Sequence, residues 1–294
     1  MKWAIIHGRY INSLVFILLL ALSLAGFANE TEKGERKEPV EFPFRPGERF
    51  EFRVLYNSHI TGNVKAGNAV LEVREQPARI DGRELMHFAG TVETIGVFNW
   101  FFRVENSYES YFDPETSKSL RFIEQVREGG YRRNYNVTFD YDNLKARSVR
   151  NASVTIRQTT EIPGQLQDLL SAFYYTRSFD LDSLEAGDAI GVDLFMHDTV
   201  YVSRVMYEGR EQITTSMGTF NTLKFKPEVL EGPVFSQPYP MTIWISDDKN
   251  RIPIRIESGL VVGRARLEMS GFRRLRYPIE SFVPDSGRRQ EPGS

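Results

Sequence analysis

The chain has no cysteine among its 294 residues. That excludes a disulfide-stapled scaffold, thiolate zinc sites, a catalytic thiol and a lipid-modified N-terminal cysteine. Histidine is almost as scarce, and beyond the first 28 residues only His59, His87 and His197 remain. Neither a His-Glu-x-x-His helix nor a Gly-x-Ser-x-Gly elbow occurs, so zinc-protease and α/β-hydrolase chemistry lack their minimum parts. His197 and Asp198 are sequence neighbours, which on a strand sends them to opposite faces instead of forming a dyad. Asp140-Tyr141-Asp142-Asn143 opens like a calcium loop, yet Lys145 stands where the loop needs glycine and Asn151 where it needs Glu. A hairpin turn with Asx hydrogen bonds accounts for it better. No catalytic residue, metal or cofactor is therefore expected. Excess positive charge is missing too: 37 basic and 39 acidic side chains give a net charge of −2. A mildly acidic chain has no general attraction for phosphate backbones, so nucleic acid is not an expected partner.

Long apolar runs are absent except at the start. Leu14–Leu24 (LVFILLLALSL) follows Lys2 and Arg9 and precedes Ala25-Gly26-Phe27-Ala28. The run is short for a bilayer span, small residues occupy the two peptidase positions, and a charged segment comes next. This is the layout of a cleaved signal over residues 1–28, with the exported form beginning at Asn29 and no transmembrane anchor left. An exported chain without cysteine fits the periplasm of a Gram-negative envelope. Residues 29–44 read as a flexible spacer and 278–294 as a disordered tail rich in Gly, Pro and Arg. The stretch between, 45–277, reads as a single β-rich domain.

Period-two alternation dominates that domain. Phe50, Phe52, Val54 and Tyr56 share one face, as do Tyr131, Arg133, Tyr135, Val137 and Phe139. Turn pairs such as Asp81-Gly82, Gly129-Gly130 and Ser258-Gly259 separate such runs, which indicates antiparallel hairpins in a meander. One helix is expected after Pro163-Gly164, where Leu166, Leu169, Leu170 and Phe173 form an apolar stripe reaching about Thr176. The fold class is all-β and mainly antiparallel, a strongly curved sheet or open β-barrel with one inserted short helix. For the C-terminal hairpins, a loop at Asp247–Asn250 and a turn at Ser258-Gly259 would set Ile245 against Ile252, Ile243 against Ile254 and Ile256 against Val261. Trp244 then lies on the opposite side beside Pro253.

Ile243-Trp244-Ile245-Ser246-Asp247-Asp248, with Arg251-Ile252-Pro253-Ile254-Arg255-Ile256-Glu257 and Gly263, resembles the C-terminal signature of an exported bacterial family, domain-of-unknown-function family 3108. Pro46-Gly47-Glu48, Tyr111-Phe112-Asp113-Pro114-Glu115-Thr116 and Asp168–Arg177 are similar to it as well, so the resemblance spans about residues 45–272. It implies a β-rich envelope protein without assigned activity. The strand-Trp, acidic turn and Pro-containing strand are also similar to the half-barrels of lipoprotein-carrier proteins.

The densest aromatic stretch is Gly96–Phe102, where alternation places Phe98, Trp100 and Phe102 on one strand face and Val97, Asn99 and Phe101 on the other, so that both faces carry large apolar groups. Such a strand is either central in a sandwich or lines a cavity. Trp100, Phe102, Trp244, Arg251 and Arg255 are the candidate ligand-binding residues. The function expected is non-catalytic binding of a hydrophobic or amphiphilic envelope component, a lipid or lipoprotein acyl chain. A glycan-binding or structural envelope protein is the competing class, and a cell-wall hydrolase a third. An apolar cavity of several hundred Å³ would favour lipid, a shallow groove with exposed aromatics a glycan, and two facing carboxylates an enzyme. Basic clusters at Tyr131-Arg132-Arg133 and Arg273–Arg276 read as solvated faces, with lipid phosphates or acidic glycans as the functional alternative.

Overall fold

The computed structural model describes residues 41–58, 62–202, 204–228, 241–259 and 263–284. The leader, most of the spacer, the tail beyond 284, His59 and Val261 lie outside the described residues. Strands run in chain order as β1 (Arg49–Ser58), β2 (Gly62–Val73), β3 (Ala78–Ile80), β4 (Arg83–Thr94), β5 (Glu105–Asp113), β6 (Lys118–Glu128), β7 (Tyr131–Asp140), β8 (Lys145–Asn151) and β9 (Thr155–Glu161). They continue as β10 (Ala189–Ile190), β11 (Asp193–Met196), β12 (Thr199–Val202), β13 (Val205–Thr215), β14 (Gly218–Pro227), β15 (Met241–Ser246), β16 (Pro253–Gly259), β17 (Arg264–Arg273) and β18 (Phe282–Val283). Two helices, α1 (Gly96–Phe101) and α2 (Leu169–Thr176), interrupt them.

One antiparallel sheet carries the order β10-β13-β14-β15-β16-β17-β1-β2-β4-β5-β6-β7-β8-β9, with β18 on β14 and β3 on β4. The sheet curls without closing. A single core joins Phe50, Phe88, Phe112 and Val137 from one side to Phe225, Ile243 and Ile256 from the other. The β11–β12 hairpin spans the gap between the sheet's ends. Its short links reach β10 and β13, while Tyr135 of β7, Ser148 of β8 and Thr160 of β9 all hydrogen-bond Asp198 in its turn.

Antiparallel pairing sends the connections alternately to two ends. At one end, here the floor, α2 lies across the concave face. Its N-cap Asp168 accepts Ser110 Oγ at 2.5 Å and Ser119 Oγ with one oxygen, and the Leu170 and Ser171 amides at 2.8 and 3.0 Å with the other. Burial still pushes the Asp168 carboxyl upward. Past its C-terminal end, Arg177 forms a fully buried ion pair with Glu48 at 2.6 Å and donates to the Asn250 carbonyl at 2.8 and 3.0 Å. Phe44, Phe50, Phe173 and Tyr174 ring this guanidinium at 5.3–5.6 Å.

Three expectations change here. Phe42 and Phe44, assigned to the spacer, are core residues, because two rings buried on the floor outweigh the charged composition before them. Residues 278–284, assigned to the tail, include β18, and Ser281 N–H donates to Asp248 at 3.2 Å. The C-terminal register also differs: Ile243 faces Ile256, Ile245 faces Pro253, and Ile256 faces Leu267. Pro253 has no N–H to give the ladder, and the register slips between Trp244 and Ile245. The hairpin turn at Asp140–Asn143 is as expected, with the Asn143 amide donating to Asp140 at 3.1 Å.

Candidate functional site: an apolar rim

Opposite the floor lies the rim, where β4, β6 and β8 end and β5, β7 and β9 begin. Of the nine exposed large apolar side chains among the described residues, six stand on these three neighbouring connections: Val97, Trp100, Phe101, Tyr131, Val154 and Ile156. Trp100 is 83% exposed, Phe101 74% and Val97 67%. Scattered surface apolar groups need no explanation, but a collection at one end does.

The aromatic stretch is a helix and not the expected strand. A strand needs a free ladder, and here β4 and β5 have already paired with each other as far as Glu93 and Glu105. Thr94 closes that ladder: its amide donates to the Val104 carbonyl at 3.1 Å, and its hydroxyl accepts the Val104 amide at 2.9 Å. The chain between must bulge outward, and Gly96, at φ +57°, makes the bend. The resulting α1 has no side-chain cap and buries none of its residues. Phe98 anchors it edge-on to Tyr56 at 6.3 Å, and Phe102 packs near Gly129. A six-residue uncapped helix is not stable by itself, and its most exposed rings, Trp100 and Phe101, lie tilted against each other with centroids 5.1 Å apart.

The five sequence candidates do not come together. Trp100 and Phe102 are at the rim. Trp244 and Arg255 pair across strands on the convex face. There the Trp244 indole donates to Glu211 with Lys224 5.9 Å from its ring, and Arg255 binds Glu268 at 2.8 Å. Arg251 sits in the β15–β16 turn at φ +50°, tied to Asp182 at 2.7 Å and Asp247 at 3.3 Å. These partners give Trp244, Arg251 and Arg255 structural employment. The rim residues Val97, Phe101, Val154 and Ile156 were not among the sequence candidates. For the first two the signal in the sequence was Gly96, where the chain bends.

Beneath the rim a polar cluster fastens the β11–β12 hairpin. His197 and Asp198 form its turn, at φ +48° and +65°, so the strand geometry assumed for them does not apply. Tyr135 donates to Asp198 at 2.7 Å, and Arg150 lies 3.5 Å from the same carboxylate. His197 lies 3.4 Å from Arg133, which is paired with Glu124. Burial, then the charges of Arg133 and Arg150, lowers His197 to about 4. Burial lifts the nearby Glu128, which accepts a 2.7 Å bond from Asn106, to about 7. Among the described residues no group of three or more potential ligands could hold a metal.

An apolar cleft lined by Phe173, Leu181, Ile190, Val205, Phe225 and Ile243 has a volume of about 70 Å³, far below the roughly 300–1,000 Å³ of small-molecule sites. A larger hollow of about 400 Å³, by the ends of β1, β2, β16 and β17, is walled by Asn57, Asn63, Glu257, Arg264 and Arg266. No described helix is long and apolar enough to cross a membrane.

Fold and rim together define an open, barrel-like β protein with a plugged floor. The chain belongs to the family described as Protein of unknown function (DUF3108), which matches residues 51–270. It is similar in fold to a solved β-barrel-like protein of domain of unknown function DUF1849 from Brucella abortus. That likeness has a TM-score of 0.51 and 11% identity, covering 78% of this chain and 98% of that one. No curated protein matches the chain.

Proposed function

We propose that this chain is an exported, non-catalytic protein of the periplasm that binds an amphiphile, a lipid or lipoprotein acyl chain, against its rim. The observation that supports this is the gathering of six of nine exposed large apolar side chains on three adjacent connections. Apolar groups kept in water at one end lower the free energy of the protein only when something covers them. The small volume of the apolar interior cleft favours a contact at the rim over one inside the half-barrel. Export rests on the leader sequence.

Without Trp3 of the leader, the exported chain has two tryptophans, Trp100 and Trp244. Titration with monomeric lysophosphatidylcholine should shift the emission of Trp100 to shorter wavelength. Trp100→Phe should abolish the shift while Trp244 still reports an intact fold. A titration without any shift overturns the reading. A shift with cell-wall glycan fragments and none with the lyso-lipid would replace it by glycan binding.

A further inference from the structure

A rim that covers itself with dispersed amphiphiles needs no charge pattern, yet this one has a pattern. Arg103, Arg127 and Arg132 are exposed beside α1 and Tyr131. All three act on a single carboxylate, Glu105: the hydrogen bond from Arg103, helped by the charges of Arg103, Arg127 and Arg132, holds it below the usual carboxylate range. Lys65, also exposed, precedes Ala66, whose carbonyl accepts the Ile95 amide at the start of α1. The exposed acids nearby are Glu105 and its cross-strand neighbour Glu93. Arg132 is fixed through Nη1 to the carbonyls of Gly129 and Tyr131 at 2.9 and 3.0 Å. A guanidinium has five donors, so two such bonds leave capacity for phosphate oxygens. At the floor end of the same strands the turns mix both signs, Asp81, Glu115, Asp140 and Asp142 with Arg79, Arg83, Lys118 and Lys145. Four exposed cations, Lys65, Arg103, Arg127 and Arg132, thus stand against two exposed acids at the end that displays the apolar side chains.

We propose that the rim docks on the surface of an anionic bilayer, with Trp100 and Phe101 entering the headgroup region and Arg103, Arg127 and Arg132 meeting lipid phosphates. The proposal rests on the amphiphile reading and names its partner. Indole and phenyl rings at a protruding tip suit the boundary between headgroups and acyl chains, and basic residues within a Debye length add attraction to an anionic leaflet.

The test is co-sedimentation of the exported chain with vesicles of phosphatidylcholine alone and of phosphatidylcholine mixed equally with phosphatidylglycerol. Partition onto the anionic vesicles should exceed that onto the neutral ones by roughly tenfold or more and fall as salt is raised. Arg103→Gln with Arg132→Gln should remove most of the anionic preference, and Trp100→Ser with Phe101→Ser should abolish binding to both. Far-ultraviolet circular dichroism checks that each variant is folded. Equal partition onto both vesicles, or undiminished binding by the arginine variant, overturns anionic docking and leaves amphiphile binding standing. Lyso-lipid binding without vesicle binding does the same. Absence of both defeats both readings.

Discussion

The floor and the rim use aromatic side chains and arginines in opposite ways. At the floor, four rings enclose Arg177, whose donors reach Glu48, Asn250 and Pro43. At the rim, Trp100 and Phe101 face solvent beside arginines that are themselves exposed. Desolvating a guanidinium is costly, so it is buried only where geometry and partners compensate, and the floor satisfies that condition almost atom by atom. At the rim Phe98 and Phe102 pack on Tyr56 and beside Gly129, but Trp100 and Phe101 are left in solvent. What folding explains at one end it leaves unexplained at the other, which is why function is sought at the rim.

The largest expected effect lies at the floor. Arg177→Met leaves Glu48 buried without its cation and should cost about 3–5 kcal/mol in urea denaturation. Adding Glu48→Leu should recover much of that loss. A cost under about 1 kcal/mol for Arg177→Met would erase the contrast between the two ends.

An intermediate effect belongs to the polar cluster. Glu128 titrates at about 7 in the folded state against 4.5 ordinarily, so its stabilising proton is fully held below pH 4.5 and lost as pH rises through 7. The loss amounts to roughly 3 kcal/mol. His197 acts in the other direction: its folded value of about 4 lies below the ordinary 6.5, so stability is lost as pH falls through that window. Between pH 4.5 and 6.5 the two slopes oppose each other, so urea midpoints of the parent chain should be nearly level there. Glu128→Gln removes one of them and should lose stability steadily as pH falls through that window. A parent chain that loses stability there as steeply as Glu128→Gln would show that Glu128 contributes nothing.

The smallest effect is expected at the rim. Trp100→Ser with Phe101→Ser should change stability by no more than about 0.5 kcal/mol, as exposed positions do. A loss above about 2 kcal/mol would make α1 part of the fold's support and weaken the case for a binding surface.

Much of this architecture was legible in the sequence because it is local. The alternation of Phe50, Phe52 and Val54 and the turn at Asp140–Asn143 need only neighbouring residues to be read, and both are found as expected. The helix was legible too, although it starts at Leu169 behind its Asp168 cap and not at Leu166. What depended on partners was not. Phe98, Trp100 and Phe102 alternate as a strand would, while Val97 and Phe101 keep helical spacing. Only the closed pairing of β4 with β5 decides between them. Glu48 and Arg177 are 129 residues apart, and nothing in a single sequence links them. The rim as a whole was hidden for a further reason: its members come from three separate connections, and only the pairing of β4 through β9 in consecutive order sets these side by side.

The seam of the sheet has a consequence for the order in which the molecule can be made. β1 pairs with β2 on one side and with β17 on the other, Arg49 lying opposite Arg273. Strands β17 and β1 stand near the middle of the order, not at its edges. A growing chain that stops short of Arg264 therefore leaves β1 with one neighbour and the sheet in two unjoined halves. Closing a loop of that length is an entropic debt settled only at the end. A chain made from its N-terminus onward keeps its central seam open until β17 has been added, so nearly the whole sequence must exist before the two halves can join.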